Sequence, residues 1–335
     1  MTAVVSDSAA LTGGLTARVG RSEVVSRPEV AGARRWLQLA LGTVWLMDGV
    51  LQLQGFMFSR GFSQMLAGTA AGNPAAVADP INWAARLIAA HPVATNAPFA
   101  IIQILIGLGI ANRRSVKVAL AGSIVWSLGV WWLGEGLGGV LSGGASPVNG
   151  APGAVILYAL LAVLLWPAGE PAPEERPPPF VAARPVGVTA ARTVWVVLWG
   201  SLAYFAVTAV NRTAQGLHDM VAGMAAGEPG WLAAINRGAA GLLDHRGLAA
   251  SVVLAVLLAV IAAGVFLPAR LSRVAIGLAI VLSLLIWVAG QDLGTILAGG
   301  GTDPNSGPLL VIIAFAYWPT RRLAAPAPAN PGEPA

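Results

Sequence analysis

Asp48, Gln52 and Glu135 are the residues whose types and spacing point most directly to chemistry. Asp48 interrupts an apolar run at 36–54, and Gln52 follows one helical turn later on the same face. Asp48 lies 13 residues beyond Arg35, about 20 Å along a helix. Glu135 ends a second apolar run at 116–134. A carboxyl inside a membrane costs several kcal/mol unless it is paired or faces water. Two acids at one level would hold a proton or share a hydrated pocket. His91 sits at the entry to another apolar run. In the second part of the chain Gln291, Asp292 and His245 hold comparable places. Two readings stay open. One is an outward-facing polar site built from these residues. The other is a set of structural caps, with Glu135 and Asp48 bonded to loop amides or to Arg60 or Arg86.

Composition sets what such a site can contain. The chain has 335 residues, no Cys, three His and a single Lys. Absent Cys removes disulfides, thiolate metal sites, Fe–S ligation and Cys nucleophiles. His91 and His245 could pair as ligands, but a metal site wants more donors than stand near them. No metal site or cofactor is evident. Phosphate loops, dinucleotide fingerprints and nucleophile elbows are missing too. GEGLGG at 134–139 follows an apolar run and leads into no βαβ unit, so it is not read as a nucleotide loop.

The elements that must carry these residues are membrane helices. The chain is 56% hydrophobic and 10% charged. A soluble domain carries roughly 25% charged residues, so a water-soluble globule is excluded. Eight apolar runs fall at 36–54, 95–111, 116–134, 152–166, 193–211, 248–267, 273–290 and 308–319. The fourth and eighth are short for a bilayer core of about 30 Å, so their preceding loops either extend them or dip into the membrane. The net charge of +5 comes from Arg scattered between the runs. That pattern sets topology and does not form a phosphate-binding face, so nucleic acid is not an expected partner. With eight spans, 15 of the 20 basic residues share the side of the termini. The expectation is a multi-pass plasma-membrane protein with both termini cytoplasmic. Trp36, Trp166, Trp195 and Trp318 stand at run ends, as an interfacial aromatic belt would place them.

The chain also reads as a tandem duplication. GFSQMLAGTAAGNPA at 61–75 lies over GLHDMVAGMAAGEPG at 216–230 with eight identities in 15. Residues 81–91 lie over 235–245, which sets His91 on His245. Residues 118–134 lie over 274–290, and 135–152 over 291–308, with Asn149 on Asn305 and Pro152 on Pro308. The expected fold is all-α, with eight spans as two parallel four-helix repeats. The boundaries are a disordered cytosolic arm at 1–34, repeats at 35–167 and 191–319, a Pro-rich linker at 168–190, and a disordered tail at 320–335. Residues 81–91 place Ile81, Ala84, Ala85 and Ile88 at helical spacing, which predicts an amphipathic helix in the first outer loop.

The stretch LQLALGTVWLMDGVLQLQGFMFSRGF, with Arg35 before the run, Gly49 late in it and the outer loop 55–94, resembles the DoxX/DoxD-like membrane proteins. That family carries Lys where Gln52 stands, and a single four-span unit. The resemblance implies a membrane subunit tied to quinone or thiosulfate oxidation or to redox defence. It would bring a quinone and a redox or envelope protein partner, with the lipid bilayer as its medium. A small-solute transporter or channel using the polar site, or a non-catalytic envelope scaffold, are the other expectations.

Overall fold

The computed structural model describes residues 27–169 and 178–320. The outer parts of the arm, the centre of the linker at 170–177 and the tail from 321 lie outside the described residues. Among the described residues the chain is all-helical, with no strand. Helices α1 (Arg27–Leu51), α4 (Pro92–Ala111), α5 (Val116–Leu133) and α6 (Ala154–Leu164) carry the apolar runs of the first half. Short α2 (Arg60–Gly68) and α3 (Ala75–Ala90) lie between α1 and α4. The second half opens with the one-turn α7 (Ala183–Val186). Helices α8 (Val188–Ala206), α12 (Gly247–Gly264), α13 (Ala269–Ala289) and α14 (Ser306–Ala316) follow its apolar runs. Between α8 and α12 come α9 (Ala209–Arg212), α10 (Gly216–Met224) and α11 (Gly230–Leu243).

Five helices, α4, α5, α8, α12 and α13, are long and apolar enough to cross a membrane. Their outward faces stay apolar, as Val118 at 77% exposed and Val125 at 73% illustrate. An uncovered apolar face of that extent suits lipid and not water. Helix α1 is longer still, 25 residues, but carries Arg34, Arg35 and Asp48 among its apolar residues. It starts at Arg27, eight residues before the boundary expected for the arm, and Pro28 falls in its first turn, where a missing N–H is tolerated.

Helices α6 and α14 have only 11 residues each, about 16 Å of helix. That is half the core of a bilayer. Both are almost wholly buried and pack on each other, so they form the centre where the halves meet. The loops before them fold inward. Ala145, Ser146, Pro147, Val148, Gly150 and Ala151 are buried, as are Gly301, Pro304 and Ser306. Irregular backbone at this depth survives only when protein surrounds it.

Each loop begins with a run of left-handed backbone. Positive φ angles occur at Gly136, Leu137, Gly138 and Gly139, and again at Asp292, Leu293, Gly294 and Thr295. Non-glycine residues pay roughly 1–2 kcal/mol each for this conformation. The turn is tight enough to demand glycine at its centre. A Cβ on Gly138 would lie 1.9 Å from the Pro152 carbonyl oxygen, and one on Gly294 would lie 2.5 Å from that of Asp303. Trp131 Nε1 donates to the Pro152 carbonyl and Trp287 Nε1 to the Pro304 carbonyl, both at 2.7 Å. Pro152 therefore answers to Pro304, four residues off the expected pairing with Pro308. The second loop is four residues shorter between Trp287 and its half-helix.

The amphipathic helix expected at 81–91 is α3, which buries Val77, Ile81, Ala85 and Ile88. At the opposite end, Arg35 donates to the Ile110 carbonyl at 2.8 Å and to that of Ala111, closing the C-terminus of α4. Gln38 does the same for α6 through the Leu165 carbonyl at 2.8 Å. Part of the expected Pro-rich linker is packed here. Phe180, Val181, Ala182 and Ala183 are buried, and the Ala182 amide donates to the Ala316 carbonyl. Trp195 departs from the expected interfacial belt. It is fully buried, donates to the Ile261 carbonyl at 2.9 Å, and stacks near Trp199 and Tyr317. Trp36 remains 74% exposed at the bundle end.

Candidate functional site

Helix α1 is held against α4 by small residues. A Cβ on Gly49 would lie 2.5 Å from Ile104 Cγ1 and 3.2 Å from the Ala100 carbonyl oxygen. Gly42 and Gly107 make a second close approach two turns away. This tight crossing fixes the depth and direction of Asp48, which is 3% exposed. Asp48 faces the hydroxyl of Tyr158 from half-helix α6. Tyr158 is itself fully buried and stacks on Trp45, with ring centroids 4.5 Å apart. Trp45 is pinned in turn by its Nε1 donating to Ser123 Oγ at 3.1 Å.

Glu135 stands at the N-terminus of α6. Its Oε1 and Oε2 accept from the Val155 amide at 3.1 and 3.3 Å. Four N–H groups open every helix without partners, and their dipoles favour an anion. The capping expectation thus holds for Glu135, through a loop-to-helix amide. Arg60 and Arg86 are exposed and take no part. Asp48 and Glu135 do not pair directly. Asp303, from the inward loop of the second half, bears electrostatically on Asp48, Glu135 and Tyr158 together. Burial raises the Asp303 carboxyl above the usual carboxylate range, against hydrogen bonds from Thr302 Oγ1 at 2.8 Å and the Asn305 amide at 2.7 Å. The loop is laid over the end of α1 by Gln54 Nε2, which donates to the Gly301 carbonyl at 3.1 Å.

The result is a cluster of three carboxyls and one phenol with no Arg or Lys among the groups that act on Asp48 and Glu135. The Tyr158 hydroxyl meets Asp48 alone, Asp48 Oδ1 has no other protein partner, and buried Gln103 Oε1 on α4 has none. Gln103 shares a helix face with Asn96 and Gly107, both of which meet α1. Like charges in a low-dielectric space cannot all ionise at once. The chemistry open to this arrangement is proton sharing or binding of a small cation.

The other expected site residues divide between the two ends of this picture. The Gln52 side chain turns from Asp48 toward Asn96 of α4 and donates to its Oδ1, while the Gln52 backbone carbonyl accepts from Asn96 Nδ2 at 2.7 Å. His91 is exposed at the α3–α4 junction. The His245 side chain is 75% exposed, 3.7 Å from Asp244. Neither histidine joins the cluster. Gln291 caps α14 as Glu135 caps α6, accepting from the Gly307 amide at 3.2 Å and donating to Ser306 Oγ at 2.9 Å. Asp292 is fully buried and accepts from Asn236 Nδ2. Burial pushes its carboxyl up to about 6, against the Asn236 bond and with a further push from Glu228.

A narrow cavity with room for about one water molecule lies in the second half. Trp199, Leu202, Gln291 and Leu310 line it, with Pro147 reaching in from the first half. Sequence reading missed Tyr158 and Asp303. Tyr158 is the only polar side chain in the run AVILYALLAVL, which is the signal that could have found it.

No protein-family model, curated protein or solved structure matches the chain.

Proposed function

We propose that the protein is an eight-span plasma-membrane carrier or channel built from two tandem four-helix repeats. Both termini lie in the cytoplasm, and the cluster of Asp48, Glu135, Tyr158 and Asp303 exchanges a proton or small cation from the outer side. One observation carries this reading: residues from both halves make the site, with Asp303 of the second half set against Asp48, Glu135 and Tyr158 of the first. A site at a repeat interface is opened and closed when one repeat rocks against the other. The two 11-residue half-helices ending there support it, since broken spans mark binding sites in transporters. The repeats draw support from the paired left-handed runs, the Trp131 and Trp287 bonds and the Glu135 and Gln291 caps. The topology rests on the 15-to-5 basic split.

A quinone-associated subunit with a redox partner, the reading that the DoxX-like resemblance implies, draws on Arg35, Gly49 and the loop 55–94. Arg35 closes α4 and Gly49 admits it, so both residues have packing roles. Purified full-length protein in liposomes with an enclosed pH dye tests the carrier reading. Wild type should collapse an imposed proton or monovalent-cation gradient faster than empty liposomes, and Asp48→Asn or Asp303→Asn should lose the difference. Wild-type liposomes indistinguishable from empty ones under every gradient would leave the scaffold reading in its place.

A further inference from the structure

The carrier reading leaves Asp292 unused, although it is as deeply buried as any acid in the protein. We propose that Glu228, Asp292 and Asn236 form a site for one hard divalent cation of the Ca2+ or Mg2+ class, at the loop end of the second half. Asp292 and Asn236 are both fully buried. Asn236 Nδ2 donates to the Ala289 carbonyl at 3.1 Å and to Asp292 Oδ1, which fixes the orientation of the amide. Asn236 Oδ1 and Asp292 Oδ2 are then left without hydrogen-bond partners. Glu228, on the turn between α10 and α11, lies close enough for its charge to bear on Asp292. Both of its carboxylate oxygens are buried, and the backbone amide of Ala298 is the one protein group that bears on them as a hydrogen-bond donor. No Arg or Lys pairs with either acid among the described residues.

Asn236 Oδ1 and Asp292 Oδ2 are thus withdrawn from water with nothing to satisfy them, and the Glu228 carboxylate has only the Ala298 amide. Buried polar groups left so are rare and costly. Carboxylates and an amide carbonyl are the donors that hard divalent cations take, and backbone carbonyls and waters complete their shells. Two carboxylates also match a charge of two. A cation would in addition brace the left-handed turn at Asp292, Leu293 and Thr295, whose φ angles are 48°, 54° and 54°.

The first half lacks this donor set. Asn73 stands where Glu228 does in the matched loops, and Gly136 where Asp292 does. Asn73 Nδ2 donates to the Thr69 carbonyl at 2.9 Å. The acids are confined to the second half, on a turn whose geometry both halves share.

Full-length protein in detergent, stripped by chelator and titrated with CaCl2 or MgCl2 against KCl at equal ionic strength, tests the site. One divalent ion per chain by equilibrium dialysis, with a saturable rise in Tm, is expected. Glu228→Gln and Asp292→Asn should each weaken apparent affinity on the order of tenfold or more. Glu228 sits on a surface turn, so its variant should fold even where Asp292→Asn does not. Asp303→Asn should bind the divalent ion as wild type does, which separates this site from the carrier cluster. Absence of divalent binding by wild type, or binding unchanged in Glu228→Gln, overturns the proposal.

Discussion

Glu135 and Gln291 cap two half-helices in the same way, yet only Glu135 can carry a charge. The comparison extends inward. Asp48 and Tyr158 face each other in one half, and Leu202 and Leu310 line a narrow cavity in the other. The frame is indifferent to the chemistry it holds. A neutral amide accepts from a helix N-terminus as a carboxylate does, so the cap alone does not require an acid. The acid at 135 has its reason in what it faces, namely Tyr158 and Asp303.

The most damaging way to test that equivalence is at the turn itself. Gly138→Val and Gly294→Val should each prevent accumulation of folded protein, a loss above about 4 kcal/mol, seen as a vanished monodisperse peak in size-exclusion chromatography. Tolerance of one but not the other would break the parallel between the loops. Asp48→Leu should stabilise the fold by about 1–4 kcal/mol while abolishing gradient collapse. A fall in Tm would mean that the carboxyl is held by more than Tyr158. Glu135→Gln, which copies Gln291, should keep Tm near wild type, whereas Glu135→Ala should cost about 1–3 kcal/mol for the lost amide partner. Trp131→Phe and Trp287→Phe should cost about 0.5–1.5 kcal/mol each, and nearly equal amounts.

The smallest effect concerns pH. Burial raises the folded-state pKa of Asp303 above its unfolded value. The stability it contributes is present below that unfolded value, about 3.9, and is lost as pH rises toward the raised one. The Tm of wild type should therefore fall above about pH 4, with a shallower slope in Asp303→Asn.

The apolar runs were legible because bilayer thickness imposes a length that sequence displays directly. The helices α4, α5, α8, α12 and α13 fall where those runs were read. Asp48 and Glu135 stood out because an acid among apolar residues is a visible exception. Asp303 was not legible for the opposite reason. It sits in the polar, Gly-rich stretch GGGTDPNSGP, where an acid is ordinary, and only the inward fold of that stretch gives it a role. The pairing of Pro152 with Pro308 failed similarly. Gly-rich loops align well at several offsets, and the Trp–carbonyl bonds that settle the offset are invisible in one dimension. His91 and His245 matched in sequence, but both lie exposed on the loop end, where position sets few constraints.

The reach of the second loop into the first half has a consequence for how the protein is made. The chain is synthesised from its N-terminus, and Asp303 is among the last tenth of its 335 residues. Asp48, Glu135 and Tyr158 are in place for more than a hundred residues before their fourth member is translated. A chain stopped after the first half carries the acids of the site but not the site. Completion of the cluster is thus a late event of biosynthesis, and a ribosome that stalls before Asp303 leaves a protein unable to do what the finished one does.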